Sequence, residues 1–149
     1  MNGKLPAEYE ELEVAGSSTA SKTTPVKADL RTTITSKTLH WNDWNHESIY
    51  YTRCQIVLYT NGDWVFSCNM HNRSRHSDWD VTIDLKIVTA IGGAEVAVLG
   101  TGLCSQDLDH GENYDKGASG YHAEIWRGWQ HFEDDTWAIQ MVSHKTRDN

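Results

Sequence analysis

The chain has 149 residues, the length of one ordinary domain, and its 38% hydrophobic and 23% charged residues are typical of a globular protein rather than a disordered one. Thirteen Lys and Arg against twenty-one Asp and Glu give a formal net charge of −8. A surface of that sign gains nothing from nucleic-acid phosphates or anionic lipid, so neither is expected as a partner. The sequence has no run of about 18 apolar residues and no basic, apolar leader, which predicts no membrane span and a chain that is cytoplasmic or released without a cleaved signal peptide.

The first 30 residues differ in character from the rest of the chain. They are rich in Ser, Thr, Lys and Glu and show no sustained strand periodicity. We interpret residues 1–30 as a polar N-terminal arm and residues 31–149 as a single domain. An arm of this kind is disordered, closes over the domain as a lid, or contacts a neighbouring subunit, so a homo-oligomer is one of the expected states.

From residue 31 onward the pattern is that of β-strands. Apolar and β-branched residues recur in short segments separated by turn residues, and the segment 80–89 alternates cleanly between apolar and polar side chains. Seven strands are predicted, at 31–41, 49–60, 64–71, 80–89, 94–101, 121–129 and 136–144. The fold class is therefore all-β, either a single-domain antiparallel β-sandwich or a small β-barrel.

The dipeptide Asn61-Gly62 predicts a hairpin between two of these strands. A two-residue turn there places Tyr59 opposite Trp64, and it places Cys54 and Cys68 on opposite faces of the sheet, where they cannot form a disulfide. The three cysteines, of which Cys104 is the third, are an odd number without CxxC spacing. They are interpreted as reduced thiols.

Three of the predicted connections are long and polar, at residues 42–48, 71–80 and 102–120. Because the ends of consecutive antiparallel strands alternate between the two ends of a domain, these three connections are expected at the same end. Tryptophan next to Asp and Asn suits a sugar ring, with the indole stacking on the ring and the polar groups contacting its hydroxyls. The predicted ligand-binding residues are Trp41, Asp43, Trp44, His46, His71, His76, Asp78 and Trp79. For Trp79, the alternative is that it caps one end of the core.

The leading hypothesis is a non-catalytic domain that binds a small molecule or glycan, in the manner of a lectin. No cofactor is expected. A metal site is not expected either, since the histidines lack zinc-ligand spacing and the acidic connection does not match an EF-hand; its weak candidates are Asp107, Asp109 and Asp115.

Two other functions remain open. One is a small β-barrel enzyme, of the cyclase or isomerase type, that encloses an apolar substrate. Alternation in the segment 121–129 places His122 and Glu124 on one face as an acid–base pair. Its pocket would be lined by Tyr59, Trp64, Phe66, Met70 and Trp126. The other is a self-assembling structural subunit, joined through the arm and exposed strand edges.

Overall fold

A computed structural model of the protein describes residues 16–24 and 36–147, which form two antiparallel β-sheets packed around one hydrophobic core. Sheet A has the strand order β1-β9-β6-β7, and sheet B has the order β2-β4-β5-β8 with β3 also paired to β4. The strands of sheet A are β1 (Ser17–Thr23), β6 (Trp79–Thr89), β7 (Glu95–Leu108) and β9 (Trp137–Arg147). Those of sheet B are β2 (Ser36–His40), β3 (Trp44–His46), β4 (Ile49–Tyr59), β5 (Asp63–Asn72) and β8 (Asn113–Tyr121). The described strands do not close into a barrel, so the protein is a β-sandwich.

Strand β6 shows why the sheets pack as they do. Its odd-numbered residues from Trp79 to Ile87 are all fully buried, while Asp80, Thr82 and Asp84 lie on the outer side. The predicted alternation of this segment is confirmed. An antiparallel strand with one apolar and one polar face belongs in a sheet that has one side on the core and one side in water.

Part of the predicted arm belongs to the sandwich. Residues 17–23 form β1, which pairs along its whole length with the C-terminal strand β9. Its burial alternates, as expected for an edge strand with one face on the core. The remainder of the arm, and residues 31–35 of the first predicted strand, lie outside the described residues.

The hairpin between β4 and β5 has a register one residue away from the predicted one. Leu58, not Tyr59, lies opposite Trp64, because the loop has three residues and ends at Gly62, which has φ 104° and donates its backbone N–H to the Tyr59 carbonyl oxygen at 2.9 Å. A three-residue loop with a left-handed glycine at its end is the common alternative to the two-residue turn. The shift turns Leu58 toward the core with Trp64 and leaves Val65 45% exposed.

The same shift corrects the prediction for the cysteines. Cys54 and Cys68 are both buried on the core side, not on opposite faces, and all three cysteines are free. The register changes again next to Cys54, where Arg53 adopts φ 53° in a β-bulge. A hydrogen bond with Cys54, together with burial, raises the pKa of the Cys68 thiol above its ordinary value, and burial raises that of Cys104 to about 12. Such thiols stay protonated and pack as small apolar groups.

Two predicted segments have a different secondary structure. Most of the predicted connection 102–120 is strand, because β7 continues to Leu108 and β8 begins at Asn113 after a short turn. The predicted strand at 121–129 is instead the start of two helices, α1 (Ala123–Arg127) and α2 (Trp129–Glu133). With five residues each, both are too short to cross a lipid bilayer. The α2 end packs on the core through Phe132, whose carbonyl oxygen accepts a hydrogen bond from Lys37.

Candidate functional site

A groove of about 440 Å³ runs along the outer face of sheet B, the face turned away from sheet A. We call it the sheet B groove. Its residues come from β3, β4, β5 and β8 and from the chain segments next to β3 and β5. They are Asp43, Trp44, Asn45, Tyr50, Tyr51, Thr52, Arg53, Asn69, His71, Arg73 and Asn113. Most of these side chains are polar, which sets this surface apart from the apolar face on the other side of the same strands.

Strand pairing explains why residues distant in sequence meet in the groove. Tyr50 pairs with His71, and His71 pairs in turn with Asn113, so these three side chains lie on one face of three neighbouring strands. Thr52 pairs with Asn69 one step further along the same face. Directly opposed residues in an antiparallel sheet point to the same side, so this row forms the floor of the groove.

Asn69 is the centre of the polar floor. It is buried, and its amide nitrogen donates hydrogen bonds to Asn113 Oδ1 at 2.5 Å and Asp115 Oδ1 at 3.0 Å. Its amide oxygen accepts a longer hydrogen bond from Thr52 Oγ1 at 3.4 Å. Arg53 also contacts Asp115 at 3.1 Å, and the hydrogen bonds from Asn69 and Arg53 lower the pKa of the Asp115 carboxyl. These contacts fix the orientation of the Asn69 amide, as is needed for a preorganised binding surface.

Arg73 and Tyr50 form a second feature of the groove. The guanidinium carbon of Arg73 lies 4.7 Å from the centre of the Tyr50 ring, within the range of a cation–π contact. Burial and the neighbouring Arg73 charge lower the pKa of His71, so its imidazole is neutral at pH 7. A neutral imidazole has one donor and one acceptor nitrogen, and with the amides and guanidinium groups the groove offers both kinds of hydrogen-bonding group.

Three of the predicted ligand-binding residues, Asp43, Trp44 and His71, do border the groove. The ring of Trp44, however, does not lie across the groove floor. Trp44 pairs with Tyr51 and stacks on it at 4.8 Å between ring centroids, and Tyr51 faces the core. The indole therefore packs against the hydrophobic core. Its stacking partner is an aromatic residue of the protein itself.

Two other predicted tryptophans are buried instead of facing a ligand. Trp41 is in the core, in edge-to-face contact with Phe66 at 5.6 Å, and its indole N–H donates to the carbonyl oxygen of Lys22. Trp79 is fully buried and lies under the cations of Lys145 and Arg147. Neither ring has a free face on which a sugar can stack. For Trp79, the alternative interpretation as a core residue is the one that the burial supports.

His46, also predicted at the site, is buried between the sheets. Its Nδ1 lies 2.9 Å from Ser143 Oγ and its Nε2 lies 2.7 Å from Ser18 Oγ, while the Tyr51 hydroxyl lies 2.5 Å from the same Ser143 oxygen. This network joins both sheets and includes the edge strand β1. Burial and the Lys145 charge lower the pKa of His46 from 6.5 to about 4. The side chain is therefore a neutral structural residue at pH 7.

We expect the stability of the protein to fall when the pH is lowered from 7 to 5, and His46 to account for much of the loss. The His46 imidazole takes up a proton near pH 6.5 in the unfolded chain and only near pH 4 in the folded chain. Between these two pH values, protonation therefore favours the unfolded chain. The expected cost is about 2 kcal/mol at pH 5. Urea unfolding of the wild type and of His46→Gln at both pH values measures it.

The matched control for this prediction is His40→Gln, since His40 is exposed. It should keep the wild-type difference in unfolding free energy between pH 7 and pH 5, whereas His46→Gln should lose most of it. An equal difference in the His46 variant and the wild type would contradict the assignment.

The three predicted segments meet at one end of the domain. The backbone N–H of Arg73, in the segment 71–80, donates to the carbonyl oxygen of Ser48, in the segment 42–48, at 2.8 Å. The backbone N–H of Asn72 donates to the Glu112 carbonyl oxygen, and Asp78 accepts from both the backbone N–H and the ring of His110 at 2.9 Å. The hydrogen bonds from His110 lower the pKa of Asp78. His76 is exposed in the same connection. Neither Asp78 nor His76 borders the sheet B groove.

The remaining predicted residues do not assemble into a second site. Asp107 lies in β7, Asp109 lies in the turn after it, and Asp115 lies in β8. Within residues 16–24 and 36–147, no group of three or more His, Cys, Asp or Glu side chains has the arrangement of a metal site.

The residues predicted for the enzyme hypothesis are separated in the structure. Trp64, Phe66 and Met70 are packed in the core, whereas Tyr59 and Trp126 are exposed. His122 and Glu124 are not an acid–base pair facing a cavity. His122 is the N-cap of α1, and its Nδ1 accepts a hydrogen bond from the Glu124 backbone N–H at 3.0 Å. An N-cap side chain accepts a hydrogen bond from one of the backbone N–H groups that have no partner within the first turn of the helix.

The prediction missed most of the groove floor. The missed residues of the groove are Asn45, Tyr50, Tyr51, Thr52, Arg53, Asn69, Arg73 and Asn113. Two signals in the sequence point to them. Asn69, His71 and Arg73 alternate with Cys68, Met70 and Asn72, so they mark the second face of one strand. Tyr50 and Thr52 alternate in the same way with Ile49 and Tyr51 on the preceding strand, and the β-bulge at Arg53 places them on the face of Asn69 and His71.

No protein-family model and no curated protein sequence matches the chain. Among solved structures, it is similar to the Avr2 effector protein from the fungal plant pathogen Fusarium oxysporum, with 10% identity, 91% of this chain and 90% of that chain covered, and a TM-score of 0.34. It is also similar to the ApaA protein from Bordetella pertussis (12% identity, 72% and 70% covered, TM-score 0.28). A third similarity is to the CBM22-1-GH10 modules of Clostridium thermocellum xylanase 10B in complex with xylohexaose (11% identity, 90% and 26% covered, TM-score 0.25). TM-scores this low assign neither a family nor an activity.

Proposed function

We propose that the protein is a non-catalytic binding domain and that the sheet B groove binds a polyhydroxylated ligand, with a glycan as the preferred class. The observation that supports this most directly is the oriented amide of Asn69, flanked by the side chains of Thr52 and Asn113. Both amide hydrogens of Asn69 are bonded to Asn113 and Asp115, so Asn69 offers its oxygen as an acceptor, and the neighbouring amide nitrogen of Asn113 supplies donors. An acceptor and a donor side by side suit the vicinal hydroxyls of a sugar. The volume of about 440 Å³ lies within the usual range for small-molecule sites, roughly 300–1,000 Å³.

The side chains of the groove favour binding over catalysis. His71 and Asp43 are the imidazole and the carboxylate of the groove, and no hydrogen bond joins them in the described structure. A general acid or base normally has such a partner to orient it. The strands that carry Asn69 and Thr52 also have their other faces in the core, which makes the floor rigid. Rigidity of this kind reduces the entropic cost of binding.

Replacing Asn69 with Leu tests the proposal. The change keeps the approximate size of the side chain but removes both hydrogen-bonding groups from the floor. We expect binding to the best ligand from a glycan array to weaken by about tenfold or more, the effect of losing one or two hydrogen bonds with buried groups. Isothermal titration calorimetry on the purified protein gives the affinity.

The matched control is Ser67→Leu. Ser67 is the preceding outward-facing residue on β5, outside the groove, so the control makes the same kind of polar-to-apolar change on the same strand. We expect its affinity to stay within about twofold of the wild type, a difference of less than 0.5 kcal/mol. Equal losses in both variants, or no response from any glycan, would overturn the proposed function.

A further inference from the structure

Arg73 differs from Arg53, the other cation of the groove, in forming no ion pair with a carboxylate among the described residues. Arg53 pairs with Asp115 at 3.1 Å, but no ion pair joins Arg73 to a carboxylate in the described part of the chain. The Arg73 Nε atom is buried and has no protein acceptor among the same residues. A guanidinium group with unused donors is a ready binding partner for an anion.

The position of Arg73 is fixed by contacts that leave the charge available. Its backbone N–H donates to the Ser48 carbonyl oxygen at 2.8 Å, and its guanidinium packs on the Tyr50 ring. A guanidinium held against an aromatic face keeps its N–H groups in one plane, in the fork geometry that matches carboxylate or sulfate oxygens. The neighbouring His71 is neutral at pH 7, so it neither supplies nor cancels a charge there.

The groove is less negative than the chain as a whole. The protein carries a formal net charge of −8, and exposed carboxylates dominate its surface. Within the groove, Arg53 is neutralised by its partner Asp115, and the single charges of Arg73 and Asp43 are equal in number but not joined by an ion pair, so the local net charge is zero. A cation kept in a concave, polar surface of an acidic protein favours a ligand whose negative charge is local, not a long polyanion that would meet the acidic surroundings.

We propose that the ligand of the sheet B groove is an acidic saccharide and that Arg73 binds its carboxylate or sulfate group. This inference rests on the proposed function and adds the chemical class of the ligand. The amides of Asn69 and Asn113 contact the hydroxyls of the sugar, and Arg73 selects sugars that carry an anionic group.

Calorimetric titration with matched pairs of oligosaccharides tests the preference for charge. One pair is a hexamer of galacturonic acid and its fully methyl-esterified form, which share a skeleton and differ in charge. The other pair is a sulfated hexasaccharide and its desulfated form. We expect the acidic member of at least one pair to bind about 10- to 100-fold more tightly than the neutral member, the range for a hydrogen bond to a charged group. The pair that shows the difference identifies the anionic group.

Variants of Arg73 test which residue carries the preference. Arg73→Gln should remove the 10- to 100-fold difference by weakening the acidic ligand, with the neutral ligand unchanged within about twofold. Arg73→Lys keeps the charge without the fork and should retain part of the preference. The control is Arg75→Gln, which makes the same change in net charge at an exposed position outside the groove. It should keep the wild-type preference within about threefold, since solvent screens an exposed charge.

The outcomes separate this inference from the proposed function. Equal binding of the acidic and neutral members would overturn the inference and leave the proposed function standing, provided that Asn69→Leu still weakens both. Equal losses in the Arg73 and Arg75 variants would also overturn it, by showing general charge attraction. If neither pair nor any glycan binds, the proposed function fails and the inference fails with it.

Discussion

Replacing Trp79 with Ala is expected to destabilise the protein by about 3 to 5 kcal/mol, the cost of removing a large aromatic side chain from a packed core. Trp79 is fully buried at the start of β6, where its ring also lies 3.7 Å from the Lys145 nitrogen and 4.7 Å from the guanidinium carbon of Arg147. Removing the ring therefore leaves a cavity and also uncovers two cations that it now faces. Urea unfolding followed by far-ultraviolet circular dichroism measures the loss.

Trp126→Ala is the matched control for this change. Its side chain is 46% exposed on α1, and its contacts are with Tyr121 and Arg127 on the surface. The expected loss is about 1 kcal/mol or less, as for other surface substitutions. Trp79→Phe, which keeps an aromatic ring beneath the cations, should recover part of the lost stability. A Trp79→Ala variant as stable as the wild type but unable to bind a glycan would instead support the role predicted from the sequence.

Gly128→Ala is the second substitution with a large expected effect. Gly128 joins α1 to α2, and a Cβ atom added there would overlap the Cζ3 and Cη2 atoms of the Trp137 ring. The ring has little room to move, because it is stacked on His131 at 4.3 Å and in edge-to-face contact with Phe132 at 5.6 Å. The φ of −102° at Gly128 is ordinary, so the effect is one of space and not of backbone conformation. We expect a loss of about 3 kcal/mol, at the upper end for overpacking.

A double-mutant cycle with Trp137→Phe isolates this steric effect. Phenylalanine lacks the two atoms that a Cβ at Gly128 would meet, so Gly128→Ala should cost much less in the Trp137→Phe protein than in the wild type. The difference in unfolding free energy between the two backgrounds should be at least about 1 kcal/mol. If the losses in unfolding free energy of the two substitutions are additive, the Trp137 ring moves to accommodate the new methyl group without strain.

The sequence was sufficient for the fold class because the signals involved are local. Alternation from Val81 to Ile87 and the hairpin dipeptide Asn61-Gly62 report a strand and a turn without reference to the rest of the chain. Local sequence signals did not determine the choice between a sandwich and a barrel. It depended on the pairing of β1 with β9 and of β5 with β8, contacts between residues far apart in sequence.

The errors in secondary structure have physical causes that a pattern of side chains does not reveal. A strand pattern was predicted over residues 121–129, but His122 caps a helix and Gly128 allows two short helices to turn against Trp137. Residues 17–23 lack an apolar pattern because β1 is an edge strand whose stability comes mainly from its partner β9. In both cases tertiary contacts outweigh local preference.

In the candidate site, too, the sequence showed local features and tertiary contacts decided where the side chains lie. Composition did not indicate where the tryptophans lie, since an indole next to Asp and Asn has the same sequence signature in a core as on a surface. Trp79 illustrates this, because Asp78 and Asp80 on either side of it face outward while its ring points inward. The polar residues of the groove floor occupy alternate positions of separate strands, so each strand marks its own residues but none shows that they meet.

By itself, the sequence determined an antiparallel all-β domain with strongly alternating central strands. Apolar and polar residues alternate with a period of two within the sequence of each such strand. Only the tertiary structure decided which polar faces meet. A register shift of one residue at Gly62 reverses which side chains of β4 face the core. The bulge at Arg53 resets the strand, so that Tyr50 and Thr52 join Asn69 and His71 on one face. The groove is a product of pairing between strands, and pairing is a property of the folded chain.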